Sequence, residues 1–186
     1  MLLKYRVPRR EGREYYAAAL QDAQRAVGLV RHRAKELGLD PARIGILGFS
    51  AGAELSATLA ANHAQRTYPV VDAADATSCR PDFMVLLYPG GILRGDKFDD
   101  LRPEIMPVAG VTPPAFITVA QDDSRHVDQA VAYFLALKNA GVPAELHVYP
   151  TGGHGYGLRS TMANATTWPE RVGDWLRSGG WLEAGR

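Results

Sequence analysis

The sequence predicts an α/β protein built on a mostly parallel sheet of about five strands with helices around it. Three observations support this fold class. Apolar segments about six residues long, the usual length of a buried strand, recur along the chain. Segments with apolar residues at helical spacing follow most of them. Turns that contain Gly or Pro separate the two kinds of segment.

The first half of the chain holds two expected strands and two expected helices. Residues 2–7 are apolar enough for a strand. From 15 to 37, apolar residues recur every three or four positions, which predicts one long helix capped by Gly38. Residues 43–47 are almost all apolar, as in a strand covered on both faces. A second helix is expected over 51–63, because its leucines recur at helical spacing.

The second half begins with a polar segment and an apolar strand at 83–88, which a Pro-Gly-Gly turn closes. Residues 92–114 have weak periodicity and form an unusually long connection with room for one short helix; such connections often line a site. The remaining elements are a strand at 115–120, a helix that begins near Val127 and stops at Gly141, a strand at 145–149 with alternating side chains, and a helix that opens with Trp168 and Pro169.

Length and composition limit what the protein can be. A chain of 186 residues is expected to form one domain over residues 1–186. Its net charge of +1 provides neither a basic surface for nucleic acid nor a polybasic attachment to membranes. The longest apolar runs are about six residues, against about 20 for a membrane-spanning helix. Lys4 and Arg6 interrupt the start, so we expect no signal peptide and a cytoplasmic protein.

Residues 48–52, Gly-Phe-Ser-Ala-Gly, match the pattern G-x-S-x-G between an expected strand and an expected helix. In that context the pattern places a serine on a sharp turn, and glycines flank it because side chains there would collide with neighbouring backbone. The helix N-terminus favours negative charge on a nearby oxygen. We therefore expect Ser50 to be a nucleophile rather than a helix-capping serine.

A serine nucleophile needs a general base, and suitable residues follow later strands in the order that this architecture requires. Asp122 and Asp123 come directly after the strand at 115–120, and spacing alone does not decide which of them orients a histidine. His154 follows the last strand and has a glycine on each side, so we expect it to be the base. The other histidines lie in expected helices or strands, apart from His126, which starts a helix and has room to line the cleft.

Four further segments carry recognisable motifs: Phe-Ser-Ala-Gly-Ala-Glu-Leu at 49–55, Leu-Leu-Tyr-Pro-Gly-Gly at 86–91, Ala-Gln-Asp-Asp at 120–123, and the run 138–158 with Ala-Gly-Val-Pro-Ala-Glu-Leu-His-Val-Tyr-Pro and Gly-Gly-His-Gly-Tyr-Gly-Leu. Together they resemble α/β-hydrolases of the acetyl xylan esterase and carboxylesterase type, over most of the chain. The resemblance implies the α/β-hydrolase fold. It also assigns Asp123, rather than Asp122, to a catalytic triad with Ser50 and His154.

Two features depart from that family's pattern. Ala53 and Glu54 stand where the family usually has Gly and His, close to the expected nucleophile. The sequence also begins after the point at which the family has early strands and a glycine-rich loop, whose backbone N–H normally completes the oxyanion hole. The backbone N–H of Ala51 is then the assigned oxyanion donor. The strand at 43–47 would also lack a neighbour. Because an open sheet edge invites pairing with another chain, we expect a homo-oligomer or, alternatively, an N-terminal strand at 2–7 that shifts its register to close the gap.

The motif and the resemblance predict a serine carboxylesterase that acts on small-molecule esters with short acyl groups such as acetyl, including acetylated sugars, through an acyl-enzyme. No cluster of His, Cys and carboxylate residues has ligand spacing along the sequence, so neither a metal nor an organic cofactor is expected. Two other interpretations remain open. One is a serine peptidase of the same fold, and the other is a catalytically weakened chain that serves as an oligomerising or binding module.

Overall fold

The computed structural model describes residues 1–7, 11–95 and 97–182, and its strands form one parallel sheet of four. These are β1 (Ile46–Phe49), β2 (Met84–Leu87), β3 (Ala115–Ala120) and β4 (Ala144–Tyr149). The strands lie in the order β1-β2-β3-β4, and each neighbouring pair is parallel. The predicted α/β class with a parallel sheet is confirmed.

Within the described residues, four α-helices accompany the sheet. They are α1 (Ala17–His32), α2 (Ala51–Ala61), α3 (Val127–Asn139) and α4 (Trp168–Ser178). A short 3-10 helix, Pro103–Ile105, lies in the long connection where the sequence left room for one. Across the part of the chain that the structure describes, no helix combines the length and the apolar character that a membrane crossing requires.

The segment 2–7, expected to be the first strand, is not part of the sheet, so the described residues contain four strands instead of about five. Its hydrogen bonds go to helix α1. The backbone N–H and the guanidinium of Arg6 donate to the Asp22 carboxylate at 2.8 to 3.0 Å. Leu3 and Tyr5 pack against the apolar cluster between α1 and α2. The strand prediction was wrong because apolar residues suit any buried contact, and here that contact is a pair of helices.

Strand β1 begins later than the expected strand at 43–47. The Asp82 carboxylate accepts the Ile44 N–H at 2.8 Å, so a side chain, and not a strand, binds this backbone donor. At Gly45, a Cβ atom would lie 2.0 Å from the ring of Phe83. The chain therefore passes close against an aromatic ring before it enters the sheet, and regular pairing starts only after that passage.

Strands β2 and β3 form the centre of the core, and every residue of both is buried. Helix α2 packs on β1 and β2, and α3 packs on β3 and β4. Helix α1 packs on α2, while α4 contacts β3. Because parallel strands all end at the same edge of a sheet, this arrangement brings together the loops that follow the four strands.

An apolar cavity of about 500 Å³ lies beside β1, at one edge of the sheet. Its lining includes Val27 of α1, Leu55 of α2 and Leu3 of the N-terminal segment. Leu47 of β1 also lines the cavity and is 45% exposed. The N-terminal segment thus lies over this edge without pairing with it.

Candidate active site

Ser50 occupies the sharp turn between β1 and α2. Its backbone has φ 52° and ψ −116°, and among the described non-glycine residues only Tyr88 also has a positive φ. The Ser50 backbone N–H donates to the carbonyl of Leu87 at 2.9 Å, which fixes the turn to the end of β2. Residues other than glycine rarely adopt this backbone conformation, because it is strained. Backbone strain of this kind concentrates at functional sites.

The two glycines of the motif differ in whether a side chain would fit at their positions. At Gly48, a Cβ atom would lie 2.1 Å from the carbonyl oxygen of Gly52, so a side chain there would collide with backbone. At Gly52, a Cβ atom would meet no described atom within 4 Å beyond its chain neighbours and the backbone of its own helix. The expectation that both flanking positions exclude side chains is therefore right for Gly48 and wrong for Gly52.

His154 lies between Ser50 and Asp123. Its Nδ1 is 2.6 Å from Asp123 Oδ2, and its Nε2 is 3.0 Å from Ser50 Oγ. An ionised carboxylate only accepts hydrogen bonds, so Nδ1 carries the ring proton and Nε2 accepts the hydrogen bond of the serine hydroxyl. The side chain of Asp123 is 6% exposed, against 40% for His154. One directed series of hydrogen bonds therefore leads from an accessible hydroxyl to a buried carboxylate.

Asp122 and Asp123 follow β3 directly, and they bind different groups. The Asp122 carboxylate accepts the backbone N–H groups of Gly152 and Gly153, at 3.2 and 2.8 Å. Asp123 accepts from the imidazole of His154. Spacing left the choice between the two acids open, and the structure brings Asp123 to the ring, as the resemblance implies.

The loop that carries His154 is also held by Tyr88, the residue that follows β2. The Tyr88 ring lies edge-on to the imidazole, with centroids 4.8 Å apart, and its hydroxyl accepts the Gly157 N–H at 3.2 Å. Burial raises the pKa of the Tyr88 phenol. Tyr88 therefore stays neutral beside the imidazole and connects the end of β2 to the histidine loop.

A second histidine, His126, binds the carboxylate of Asp123. Its Nδ1 is 2.7 Å from Asp123 Oδ1, and its ring stacks on His154 with centroids 4.0 Å and planes 24° apart. From the sequence, His126 has room to line the cleft, and no role in the site is predicted for it. The signal that could have found it is its spacing, since it follows Asp123 by three residues at the start of α3.

Asp123, His126 and His154 are also the three described residues whose ligand-type atoms lie within 4.8 Å of one another, close enough to hold a metal ion. Spacing along the sequence does not indicate such a group. In the structure, both imidazoles direct Nδ1 at the carboxylate. A metal bound here would have to replace the protons on Nδ1 of His126 and of His154, whereas the hydrogen-bonded arrangement needs no further group.

Ala51, the expected oxyanion donor, is the first residue of α2. A backbone N–H at this position has no acceptor within its own helix. A pocket of about 120 Å³ opens beside Ala51, and its lining includes Val7, Tyr16 and Thr58. The described residues therefore offer a helix-terminal N–H at Ala51 and a small cavity that Ala51 helps to line, whereas Ser50 and His154 are not among its lining residues.

Glu54, which departs from the family pattern, belongs to a polar cluster on the first turn of α2. The hydroxyl of Tyr15 donates to it, and the Arg102 guanidinium lies 3.4 Å from its carboxylate. Burial, followed by the hydrogen bond to Glu54, raises the pKa of Tyr15 far above its usual value. At Gly91, a Cβ atom would lie 2.2 Å from the carboxyl carbon of Glu54. An acid is thus accommodated here by an arginine, a phenol and a glycine.

Comparison with known proteins bears on the fold and the family. The family model BD-FAE matches residues 2–87, a range that includes Ser50. Among solved structures, the chain is similar to the acetyl ester-xyloside bifunctional hydrolase from Caldicellulosiruptor lactoaceticus. The two are 34% identical with a TM-score of 0.80, and the match covers 96% of this chain and 71% of that one.

Two curated relatives give matches over shorter shares of their own length. The acetylxylan esterase of Xylanibacter ruminicola is 28% identical over 84% of this chain and 35% of its own length. The ethyl acetate hydrolase of Pseudomonas putida is 32% identical over 76% of this chain and 51% of its own length. The chain therefore spans about a third to a half of these relatives. On its identity and coverage with the C. lactoaceticus hydrolase, this chain belongs to the acetyl xylan esterase and carboxylesterase-like family of α/β-hydrolases.

Proposed function

We propose that this chain is a serine carboxylesterase that hydrolyses short-chain, acetyl-type esters through an acyl-enzyme intermediate. The observation that carries the proposal is the hydrogen-bonded series from Ser50 Oγ through His154 to the Asp123 carboxylate, with distances of 3.0 and 2.6 Å. In it Ser50 is the nucleophile, His154 the general base and then acid, and Asp123 the group that orients the imidazole. Residues 1–186 act in this proposal as one α/β-hydrolase domain.

Acylation begins when Ser50 Oγ attacks the carbonyl carbon of the ester and His154 Nε2 takes the hydroxyl proton. The carbonyl oxygen becomes an oxyanion, to which the N–H of Ala51 donates from the N-terminus of α2. The negative charge of Asp123 stabilises the imidazolium that forms. The bond to the alcohol then breaks, and the alcohol leaves with the proton from His154 Nε2.

Deacylation repeats these steps with water. His154 Nε2 takes a proton from a water molecule as its oxygen attacks the acyl carbon of the Ser50 ester. The second oxyanion again faces the N–H of Ala51. Its collapse breaks the bond to Ser50 Oγ, which recovers its proton from His154, and the carboxylic acid is released. Each proton that moves is carried by the same ring nitrogen, while Nδ1 stays bound to Asp123.

The acetyl-type substrate class rests on the small pocket and on the relatives. A pocket of about 120 Å³ beside Ala51 suits a short acyl group and leaves little room for a long one. The names of two relatives, an acetylxylan esterase and an ethyl acetate hydrolase, both describe hydrolysis of acetyl esters. Acetylated sugars are therefore the natural substrates that we propose to test first.

The test is hydrolysis of p-nitrophenyl acetate by the purified chain, by Ser50→Ala and by a Ser56→Ala control. Ser56 lies further along α2, where its hydroxyl donates to the Gly52 carbonyl at 2.8 Å. We expect Ser50→Ala to lower kcat by about 10⁴-fold or more, and Ser56→Ala to remain close to wild type. Intact mass after rapid mixing should show one added acetyl group on the wild type and none on Ser50→Ala. Full activity in Ser50→Ala would overturn the proposal.

A further inference from the structure

Two imidazole rings share one buried carboxylate. His154 binds Asp123 Oδ2 at 2.6 Å, and His126 binds Oδ1 at 2.7 Å. Within residues 1–7, 11–95 and 97–182, these are the two hydrogen bonds made to the Asp123 side chain, which is 6% exposed. A buried charged oxygen without a donor is costly. His126 therefore satisfies the oxygen that His154 does not reach.

The His126 side chain is not needed to begin its own helix. His126 is the N-cap residue of α3, yet its side chain makes no capping hydrogen bond. The first turn is closed by the carbonyl of Asp123, which accepts the backbone N–H groups of His126 and Val127 at 3.0 Å each. The imidazole is instead turned onto the carboxylate of Asp123, three residues before it in the chain. Asp123 and the first turn of α3 therefore form one hydrogen-bonded unit.

The second contact of His126 is with the ring of His154. The two rings stack with centroids 4.0 Å apart. His154 stands between glycines with φ of +61° and +75°, Gly153 and Gly155, and its side chain is 40% exposed, so the orientation of the ring depends on contacts from outside its own loop. The other edge of the His126 ring is close to Gly90, where a Cβ atom would lie 3.2 Å from Nε2. The His126 ring, which is held at the N-terminus of α3, thus supports the His154 ring on its glycine-rich loop.

We infer that His126 is a positioning residue for ester hydrolysis: it fixes the plane of the Asp123 carboxylate through Oδ1 and the plane of the His154 ring by stacking. The inference rests on the proposed function of Ser50, His154 and Asp123. His126 acts through the other two residues and carries no proton of the reaction. A catalytic group displaced by about 1 Å can lose about 100-fold in rate, so the loss is expected in kcat and not in KM.

Two substitutions separate the hydrogen bond from the stacking. His126→Asn keeps an amide N–H near the position of Nδ1 and removes the ring, whereas His126→Phe keeps a ring and removes the N–H. His147→Phe is the matched control. Its Nε2 lies 2.6 Å from Glu145 Oε1 and its ring stacks on Phe116, so the control removes a contact between a histidine and a carboxylate and keeps a stacked ring elsewhere, on β4. Circular dichroism checks that each variant folds. Where His126→Phe does not fold, His126→Leu is used as the variant that removes both the ring and the N–H.

The readouts are steady-state kinetics with p-nitrophenyl acetate and the proton resonance of the His154 Nδ1–H. We expect His126→Phe to lower kcat by about 10- to 100-fold with KM little changed, and His126→Asn to recover part of that loss. The downfield resonance of the His154 Nδ1–H should move or broaden in His126→Phe, stay closer to wild type in His126→Asn, and be unaltered in His147→Phe.

The His154 Nδ1–H resonance tests the role of His126 independently of turnover. An inactive wild type would overturn the proposed function, but the effect of His126 on the hydrogen bond between His154 and Asp123 would still be measurable. A His154 resonance in His126→Phe that is the same as in wild type would overturn the inference, whatever the rate. So would equal shifts in His126→Phe and in the His147→Phe control, because the effect would then not come from contact with Asp123.

Discussion

Asp122 and Asp123 are adjacent in the chain, and they hold two different parts of one loop. Asp123 accepts from the imidazole of His154, and Asp122 accepts from the backbone that leads into it, at Gly152 and Gly153. One carboxylate therefore orients the ring while its neighbour places the loop. Both follow β3, so the histidine loop is attached to the centre of the sheet at two points.

The two acids should therefore differ in how strongly their substitution reduces activity. Asp123→Asn is expected to lower kcat by about 10⁴-fold, because an amide facing Nδ1 favours the tautomer that cannot accept the serine proton. Asp122→Asn keeps an oxygen that can accept from the glycines, so a loss of about tenfold or less is expected. Kinetics with p-nitrophenyl acetate check the ranking. The reverse order would mean that Asp122 orients the ring in solution.

Acyl-chain selectivity tests the pocket beside Ala51. For p-nitrophenyl esters, kcat/KM is expected to fall from acetate and butyrate to octanoate, because the pocket of about 120 Å³ limits chain length. Tyr16→Ala removes a ring from the lining and should raise the ratio of octanoate to acetate activity several-fold. A wild-type preference for octanoate would contradict this account and would point to a deeper cavity along residues 92–114.

The grouping of Ser50, Asp123 and His154 could be predicted from the sequence because each follows a strand. In a parallel sheet those positions share one edge, so motif and strand order together bring the residues close. The contacts of His126 could not be predicted in this way, since they depend on how α3 is set against the histidine loop. The strand expected at 2–7 failed for a related reason. Apolar content predicts burial, but the partner of its backbone groups depends on tertiary structure.

A stability prediction concerns Asp75, whose side chain is 1% exposed. A hydrogen bond from Tyr68 at 2.7 Å, a backbone N–H from Val71 and the guanidinium of Arg25 hold the pKa of its carboxyl well below the usual range. A group with a lowered folded-state pKa stabilises the fold above its unfolded pKa of about 4, and that stabilisation is lost as the pH falls through the folded value.

Asp75→Asn should therefore lower the urea midpoint at pH 7, and the difference from wild type should stay constant down to about pH 5. Below about pH 4 the difference should narrow, since the Asp75 carboxyl of the unfolded wild-type chain then takes up a proton while the folded one stays ionised to lower pH. Urea titrations followed by circular dichroism at several pH values give the comparison. A difference that widens towards low pH would mean that the charge of Asp75 destabilises the fold.

The open edge of the sheet carries the prediction of a homo-oligomer. In the described part of the chain β1 pairs only with β2, and its Leu47 is 45% exposed beside the apolar cavity of about 500 Å³. Unpaired N–H and C=O groups on an apolar edge attract another strand, so we expect two copies to associate through β1, as light scattering over a range of concentrations would detect.

Charge substitutions at the two edges decide which one associates. Leu47→Lys places a charge on β1 and should convert the dimer to a monomer, because edge lysines oppose strand pairing. Val148→Lys is the matched control, since Val148 is 43% exposed on β4, the opposite edge strand, and this variant should remain a dimer. A wild-type chain that is monomeric at every concentration would contradict the prediction. Dissociation by Val148→Lys alone would instead assign the association to β4.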